Sequence, residues 1–222
     1  MKKRLINPTS VIAIATVAVA SVTASQAVTI VSAAGYTITH DGNMADHNLD
    51  AGGSVPSNLA LTNGTPFASQ DPSPHDPIHA VVKLNDGNYG NSFSHINGAG
   101  PNPGHMGILL NGTFELHSFA FGRDNQPNFG DRSDGTYNIE FTADGGSNWT
   151  PLGDITLSGE AQRIEYDIEL AGGGAIVGNG LRIFATTEKA IDEIEIYGVI
   201  PEPSGLALLG LALGGFVLRR RR

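Results

Sequence analysis

Arg123-Asp124-Asn125 and Asp131-Arg132-Ser133-Asp134 crowd guanidinium, carboxylate and carboxamide groups into one short stretch of the chain. Sugar hydroxyls both donate and accept hydrogen bonds, so Arg123, Asp124, Asn125, Asp131 and Arg132 have the chemistry to read them. Tyr89 or Phe129 offers an apolar face for a pyranose ring. The same arginines can instead fork onto the neighbouring carboxylates and staple the loop internally. Both readings stand at this point. His75-Asp76-Pro77-Ile78-His79 sets two histidines four apart, a zinc spacing on a helix, but Pro77 lies between them and interrupts any helix. His40, Asp41, Asp46 and His47 supply similar donors with nothing to fix their geometry. There is no cysteine, no Gly-x-Ser-x-Gly elbow, no phosphate-binding loop and no His-Glu-x-x-His pair. Carboxylates are plentiful and no pair is singled out for glycoside cleavage. The residues point to binding, not to an enzyme.

The segments that must position these groups read as strands. Leu116–Phe121 alternates apolar and polar residues, and Tyr137, Ile139 and Phe141 share one face of Thr136–Phe141. Ile164, Tyr166, Ile168 and Leu170 share a face of the next run, followed by Leu181–Phe184 and Ile191–Tyr197. Asp134-Gly135, Asp144-Gly145-Gly146 and Gly172-Gly173-Gly174 separate them as turn formers. Tyr36-Thr37-Ile38 and Leu59-Ala60-Leu61 read as edge strands, and Asp71-Pro72-Ser73-Pro74 as a loop. Trp149, after a turn and at the start of a further strand, reads as a packing residue rather than a sugar platform. The expected fold is all-β, an antiparallel sandwich or jelly roll.

The two ends carry a different message. Lys2, Lys3 and Arg4 precede the apolar run Val11–Ala20, and Ser25-Gln26-Ala27 is a small-x-small cleavage site, with Ala34 as a second choice. This is the layout of a secretory signal peptide. At the other end Pro201-Glu202-Pro203-Ser204 leads into the uncharged segment Gly205–Leu218 and then Arg219, Arg220, Arg221 and Arg222. A helix over that segment reaches about 21 Å, short of a hydrocarbon core of about 30 Å. The order of hinge, apolar helix and basic cluster resembles the PEP-CTERM sorting tail. That resemblance implies transient anchoring in the inner membrane and processing by an exosortase-type membrane protease near Pro201-Glu202-Pro203. Arginines stay on the cytoplasmic side, which puts the preceding domain outside. Of thirteen Lys/Arg, seven lie in the terminal clusters. The six that remain face twenty-two Asp/Glu over residues 28–203, a formal charge of −16. Such a surface repels nucleic acid, which is excluded as a partner. With no cysteine, an exported domain must rest on its core, its turns or a bound cation.

Lys83-Leu84-Asn85-Asp86-Gly87-Asn88-Tyr89-Gly90-Asn91-Ser92 is followed by Gly107–Leu110 and Leu116–Phe121, then by Tyr137–Trp149. The series closes with Leu181-Arg182-Ile183 and Ile194–Gly198. In this order the pieces resemble the coagulation factor V/VIII type C, or discoidin-like, family with its galactose-binding-like jelly roll, over roughly residues 78–198. His95 departs from the pattern, where relatives often carry a tryptophan. The division expected is a signal peptide at 1–27, an N-terminal part of the same domain at 28–77, the jelly roll at 78–198 and the sorting tail at 201–222. The resemblance implies a binding module whose loops, at one end of the sandwich, meet carbohydrate, here an extracellular polysaccharide. It also implies a structural Ca2+ near the Asp-Gly loop, with Asp86, Asn91 and Glu193 as its ligands; the alternative is a turn-forming Asp86 and a solvated Glu193. The rival functions are a calcium-bridged structural matrix protein and, further off, a polysaccharide hydrolase.

Overall fold

The computed structural model describes residues 27–40, 58–69, 80–87, 95–97, 103–122, 134–158, 164–187 and 189–201. Eleven strands are described: β1 Ala27–Ser32, β2 Tyr36–Thr39, β3 Gly64–Ala68, β4 His95–Asn97, β5 Gly104–Gly122, β6 Gly135–Thr142, β7 Thr150–Ser158, β8 Ile164–Leu170, β9 Ile176–Ala185, β10 Lys189–Ile191 and β11 Glu193–Val199. One short helix, α1 (Leu59–Asn63), and a 3-10 turn at Val81–Asn85 accompany them. Nine strands form one antiparallel sheet in the order β1-β7-β6-β9-β5-β8-β2, with β3 and β11 also on β5, while β4 pairs with β10.

β5 turns this sheet into two layers. Its first half pairs with β9 and β3, and its second half with β8 and β11. Between Leu109 and Phe114 it slips register against β9, a bulge that lets a long strand bend. One layer therefore runs β1-β7-β6-β9-β5-β3 and the other β2-β8-β5-β11. Their inner faces carry the alternating residues the strand period demands: Tyr137, Ile139, Ile155, Ile183 and Ile108 from one, Phe119, Phe121, Tyr166 and Ile196 from the other, all buried. Phe119, Phe121 and Tyr166 stack at 5.3–6.2 Å within one layer. Phe121 meets Tyr137 of the opposite layer edge-on at 5.1 Å, and Tyr36 meets Phe141 at 5.6 Å. Such aromatic pairs add about 0.5–1.5 kcal/mol each beyond the area they bury. The expected antiparallel jelly-roll sandwich is the fold observed.

Two expectations are corrected. Leu59-Ala60-Leu61 is helical, because Asn58 caps the turn: its Oδ1 accepts from the amides of Ala60 (3.0 Å) and Leu61 (3.4 Å). The same oxygen accepts from Ile196 N–H of β11 at 3.3 Å, which ties the helix to the sheet. Ile191–Tyr197 is not one strand; it breaks at Asp192, whose amide bonds to the Gly122 carbonyl. Among the described residues no helix is long and apolar enough to cross a membrane. The basic start, the apolar run Val11–Ala20 and the tail beyond Pro201 lie outside the described residues.

Register fixes two ends of the sandwich. At one end lie Gly104, Gly122, Gly135, Ser158, Ile164, Ala185 and Glu193. At the other lie the connections 33–35, 143–149 and 171–175, together with Val199 at the close of β11. The first end is called the loop end below, and the second the tail end.

Candidate functional site

The loop end holds the described ends of the segments that sequence reasoning singled out. β5 leaves the sheet at Gly122, paired with Glu193 of β11, and β6 begins at Gly135. Arg123, Asp124, Asn125, Asp131 and Arg132 all belong to the segment between, and lie outside the described residues, as do Asn91, Tyr89 and Phe129. The roots of that segment are described. Lys189 of β10 is 5% exposed and donates from Nζ to the carbonyl of Asp134, with the ammonium 5.8 Å from the centre of the Tyr137 ring. Burial pulls its pKa below the ordinary lysine value, and the nearby Asp134 opposes that shift. Gly135 has φ +125, and a Cβ there would come within 2.8 Å of Lys189 Nζ. Lys189 and Gly135 thus hold the point where the segment rejoins the sheet. Sequence reasoning missed Lys189; a lone lysine in a run otherwise rich in acids and aliphatics was the available signal.

The Asp86-Gly87 turn meets Glu193 through its backbone. Gly87 N–H donates to Glu193 Oε2 at 3.0 Å across the gap from the 3-10 turn to β11. Glu193 is 1% exposed, so it is not the solvated strand residue of the alternative reading; it pins the Asp-Gly turn to the sheet. Asp86 Oδ2 sits 3.0 Å from the Lys83 ammonium. Calcium takes six to eight oxygens. The described residues bring two carboxylates here, one of them already beside an ammonium, and no group of three His, Cys, Asp or Glu suited to a metal occurs among them. Asn91, the third expected ligand, lies outside the described residues, which therefore hold two of the three side chains expected to bind the ion.

The tail end is built differently. The turn after β6 closes on Asp144: its Oδ1 accepts from Thr142 Oγ1 (2.8 Å) and Asn148 N–H (2.9 Å), and its Oδ2 from Asn148 Nδ2 (2.6 Å). These bonds, the Asn148 side chain first, hold its pKa at about 2. Trp149 closes the turn half-buried, with the Arg182 guanidinium 4.5 Å above its ring and Phe67 at 5.7 Å, the packing role expected of it. β11 ends at Val199, and Pro201 follows half-buried. His40 lies beside Tyr166 at 6.0 Å; the other histidines weighed for zinc lie outside the described residues.

Residues 199–222 match the PEP-CTERM protein-sorting motif. The hinge, apolar segment and arginines are therefore a sorting tail. No curated protein matches the chain. Among solved structures the chain is similar to CpGH89CBM32-5 from Clostridium perfringens, in complex with GalNAc-beta-1,3-galactose (TM-score 0.52, 12% identity, 64% of this chain, 100% of that one). It is also similar to a fucolectin from striped bass (Morone saxatilis) serum (TM-score 0.52, 18% identity, 66% of this chain). Only 48% of the fucolectin chain is spanned. The third is the C-terminal domain of a chitobiase from Bacteroides fragilis (TM-score 0.51, 15% identity, 66% of this chain, 100% of that one). At these identities the likeness is one of fold. The fold is the jelly-roll sandwich of these structural neighbours, which are galactose-binding-like, discoidin-like domains.

Proposed function

We propose that the chain is an exported carbohydrate-binding protein, delivered by its sorting tail through an exosortase-type protease, that holds extracellular polysaccharide at the loop end. The observation that carries this reading is the direction of β11. It starts beside the roots of the Arg123–Arg132 segment and ends two residues before Pro201. Seven residues of strand separate the two by roughly 20 Å. An attached tail then leaves the loop end, with Gly122 and Asp134 at the roots of that segment, on the side away from the anchor. The fold's likeness to sugar-binding modules supports the same reading. Shallow recognition by loop polar groups gives weak single-site binding that many surface copies strengthen. The reading extends to the cell's own exopolysaccharide or biofilm matrix as the natural ligand.

The test is polysaccharide binding by the full-length chain purified in a sugar-free detergent, against Arg123→Ala and Arg132→Ala. Binding that falls in both variants, with melting temperature unchanged, is the expected result. No binding by the unaltered chain to any neutral, amino or acidic polysaccharide would overturn the reading.

A further inference from the structure

The outer face of the β1-β7-β6-β9-β5-β3 layer carries a cleft of about 380 Å³. Register builds it. Glu140 stands opposite Arg182, and Asn138 opposite Phe184, across β6 and β9; Asp154 stands opposite Asn138 across β6 and β7. Two polar pairs are locked in place. Arg182 Nε donates to Glu140 Oε2 at 2.5 Å, and Asn138 Nδ2 donates to Asp154 Oδ1. Each carboxylate thus commits one oxygen to its neighbour, and the Glu140 Oε1 and Asp154 Oδ2 atoms are placed to accept further bonds. Half-buried Phe184, beyond Asn138 on β9, and Pro151, beyond Glu140 on β7, line the cleft with apolar surface beside the pairs. Trp149 stacks on the far side of Arg182 and fixes the guanidinium plane.

We propose that this cleft is a second saccharide site, for a neutral or amino sugar unit within a polysaccharide chain. The proposal rests on the saccharide reading of the protein and adds a surface to it. A pyranose presents an apolar face and a rim of hydroxyls that donate as well as accept. Phe184 meets the face, and the two carboxylate oxygens and the guanidinium meet the rim. Because both pairs are fixed before binding, little side-chain freedom is lost on contact. Charge selects the class. Glu140 and Asp154 outnumber Arg182, and His105 beside them is held below its ordinary pKa by burial and by Arg182, so it adds no positive charge at neutral pH. The surplus is negative. It repels a uronate and suits a neutral hydroxyl or an ammonium.

Affinity electrophoresis or calorimetry of the full-length chain against dextran, chitosan and alginate tests it. Phe184→Ala and Asn138→Ala each lower affinity for dextran or chitosan by about tenfold, equal to 1.4 kcal/mol, with melting temperature retained. Glu140→Gln combined with Asp154→Asn raises the affinity for alginate. If Phe184→Ala and Asn138→Ala bind as the unaltered chain does while Arg123→Ala and Arg132→Ala abolish binding, the cleft is not a site and the loop-end reading survives alone. A preference of the unaltered chain for alginate that Phe184→Ala removes would overturn the charge selection. Failure of the unaltered chain to bind all three ends both readings together.

Discussion

The two ends of this sandwich solve opposite problems. At the tail end the connections are short turns. Asp144 gathers its own turn, and the turn after β8 closes with Gly173 N–H on the Leu170 carbonyl at 2.8 Å. At the loop end ionisable groups are buried instead: Lys189, Asp192 and Glu193 are all under 6% exposed. Burying charge is costly unless it is paired, so it is found where a specific geometry must be held. Here it is held at the roots of the connections. Lys189 fixes the carbonyl of Asp134, and Glu193 fixes the amide of Gly87. The difference teaches that the tail end is closed by short turns bonded to one another, as Ala171 N–H to the Gly35 carbonyl at 2.9 Å, whereas the loop end ties its segments together with buried charge.

The largest expected effect concerns β1. All six of its residues pair with β7, and Val28 and Ile30 pack on the core. Signal cleavage after Ala34 would discard the strand; cleavage after Ala27 keeps five of its six residues. N-terminal sequencing of exported protein is expected to begin at Val28, and a chain starting at Gly35 is expected to be aggregated or degraded. Stable, folded protein starting at Gly35 would show that β1 is dispensable.

Next comes a matched pair of glycines. Gly135→Ala at the loop end meets both a disallowed φ and the Lys189 ammonium, and is expected to cost about 3 kcal/mol. Gly145→Ala at the tail end has φ +71 and nothing within 4 Å of the new methyl, so about 1 kcal/mol is expected. Urea unfolding of the two variants measures the contrast, and equal losses would remove it.

A smaller effect follows from Asp144. Its folded pKa of about 2 lies below the ordinary 3.8. The folded state therefore binds the proton less readily, and the stabilisation is complete above pH 3.8 and fades as pH falls toward 2. Asp144→Ala should lower the melting temperature at pH 7 and converge with the unaltered chain near pH 2. A gap that persists unchanged in acid would assign the effect to something other than the carboxylate. The smallest change is expected from calcium. With Lys83 already beside Asp86, EDTA should move the melting temperature by less than about 1 °C, on the order of a few tenths of a kcal/mol. A rise of several degrees with calcium that Asp86→Asn removes would place an ion at the Asp-Gly turn.

Much of the fold was legible because its inner strands obey a period of two. Tyr137, Ile139, Phe141, Ile164, Tyr166 and Ile168 all point inward as the alternation requires. Leu170, expected on the same face, is 40% exposed because β8 ends there. The strand expected to start at Trp149 is β7, although Pro151 and Gly153 break the alternation of Thr150–Ser158. β1 was hidden by its position beside the signal peptide, and α1 by Leu-Ala-Leu, which reads as strand until Asn58 is seen to cap it. The sorting tail was legible because hinge, apolar run and arginines are contiguous. The outer-face cleft was not: Asn138, Glu140, Asp154, Arg182 and Phe184 come from three strands, and only register brings them together.

The account turns on the opposition of the two ends, and the absence of cysteine allows it to be measured cleanly. Single cysteines placed as Asp134→Cys and Ile200→Cys in the full chain, each carrying a fluorophore, can be read in bilayers containing brominated lipid. The label at 200 is expected to be strongly quenched and the label at 134 to fluoresce as it does in unbrominated lipid. Equal quenching, or the reverse order, would contradict a loop end that faces away from the tail.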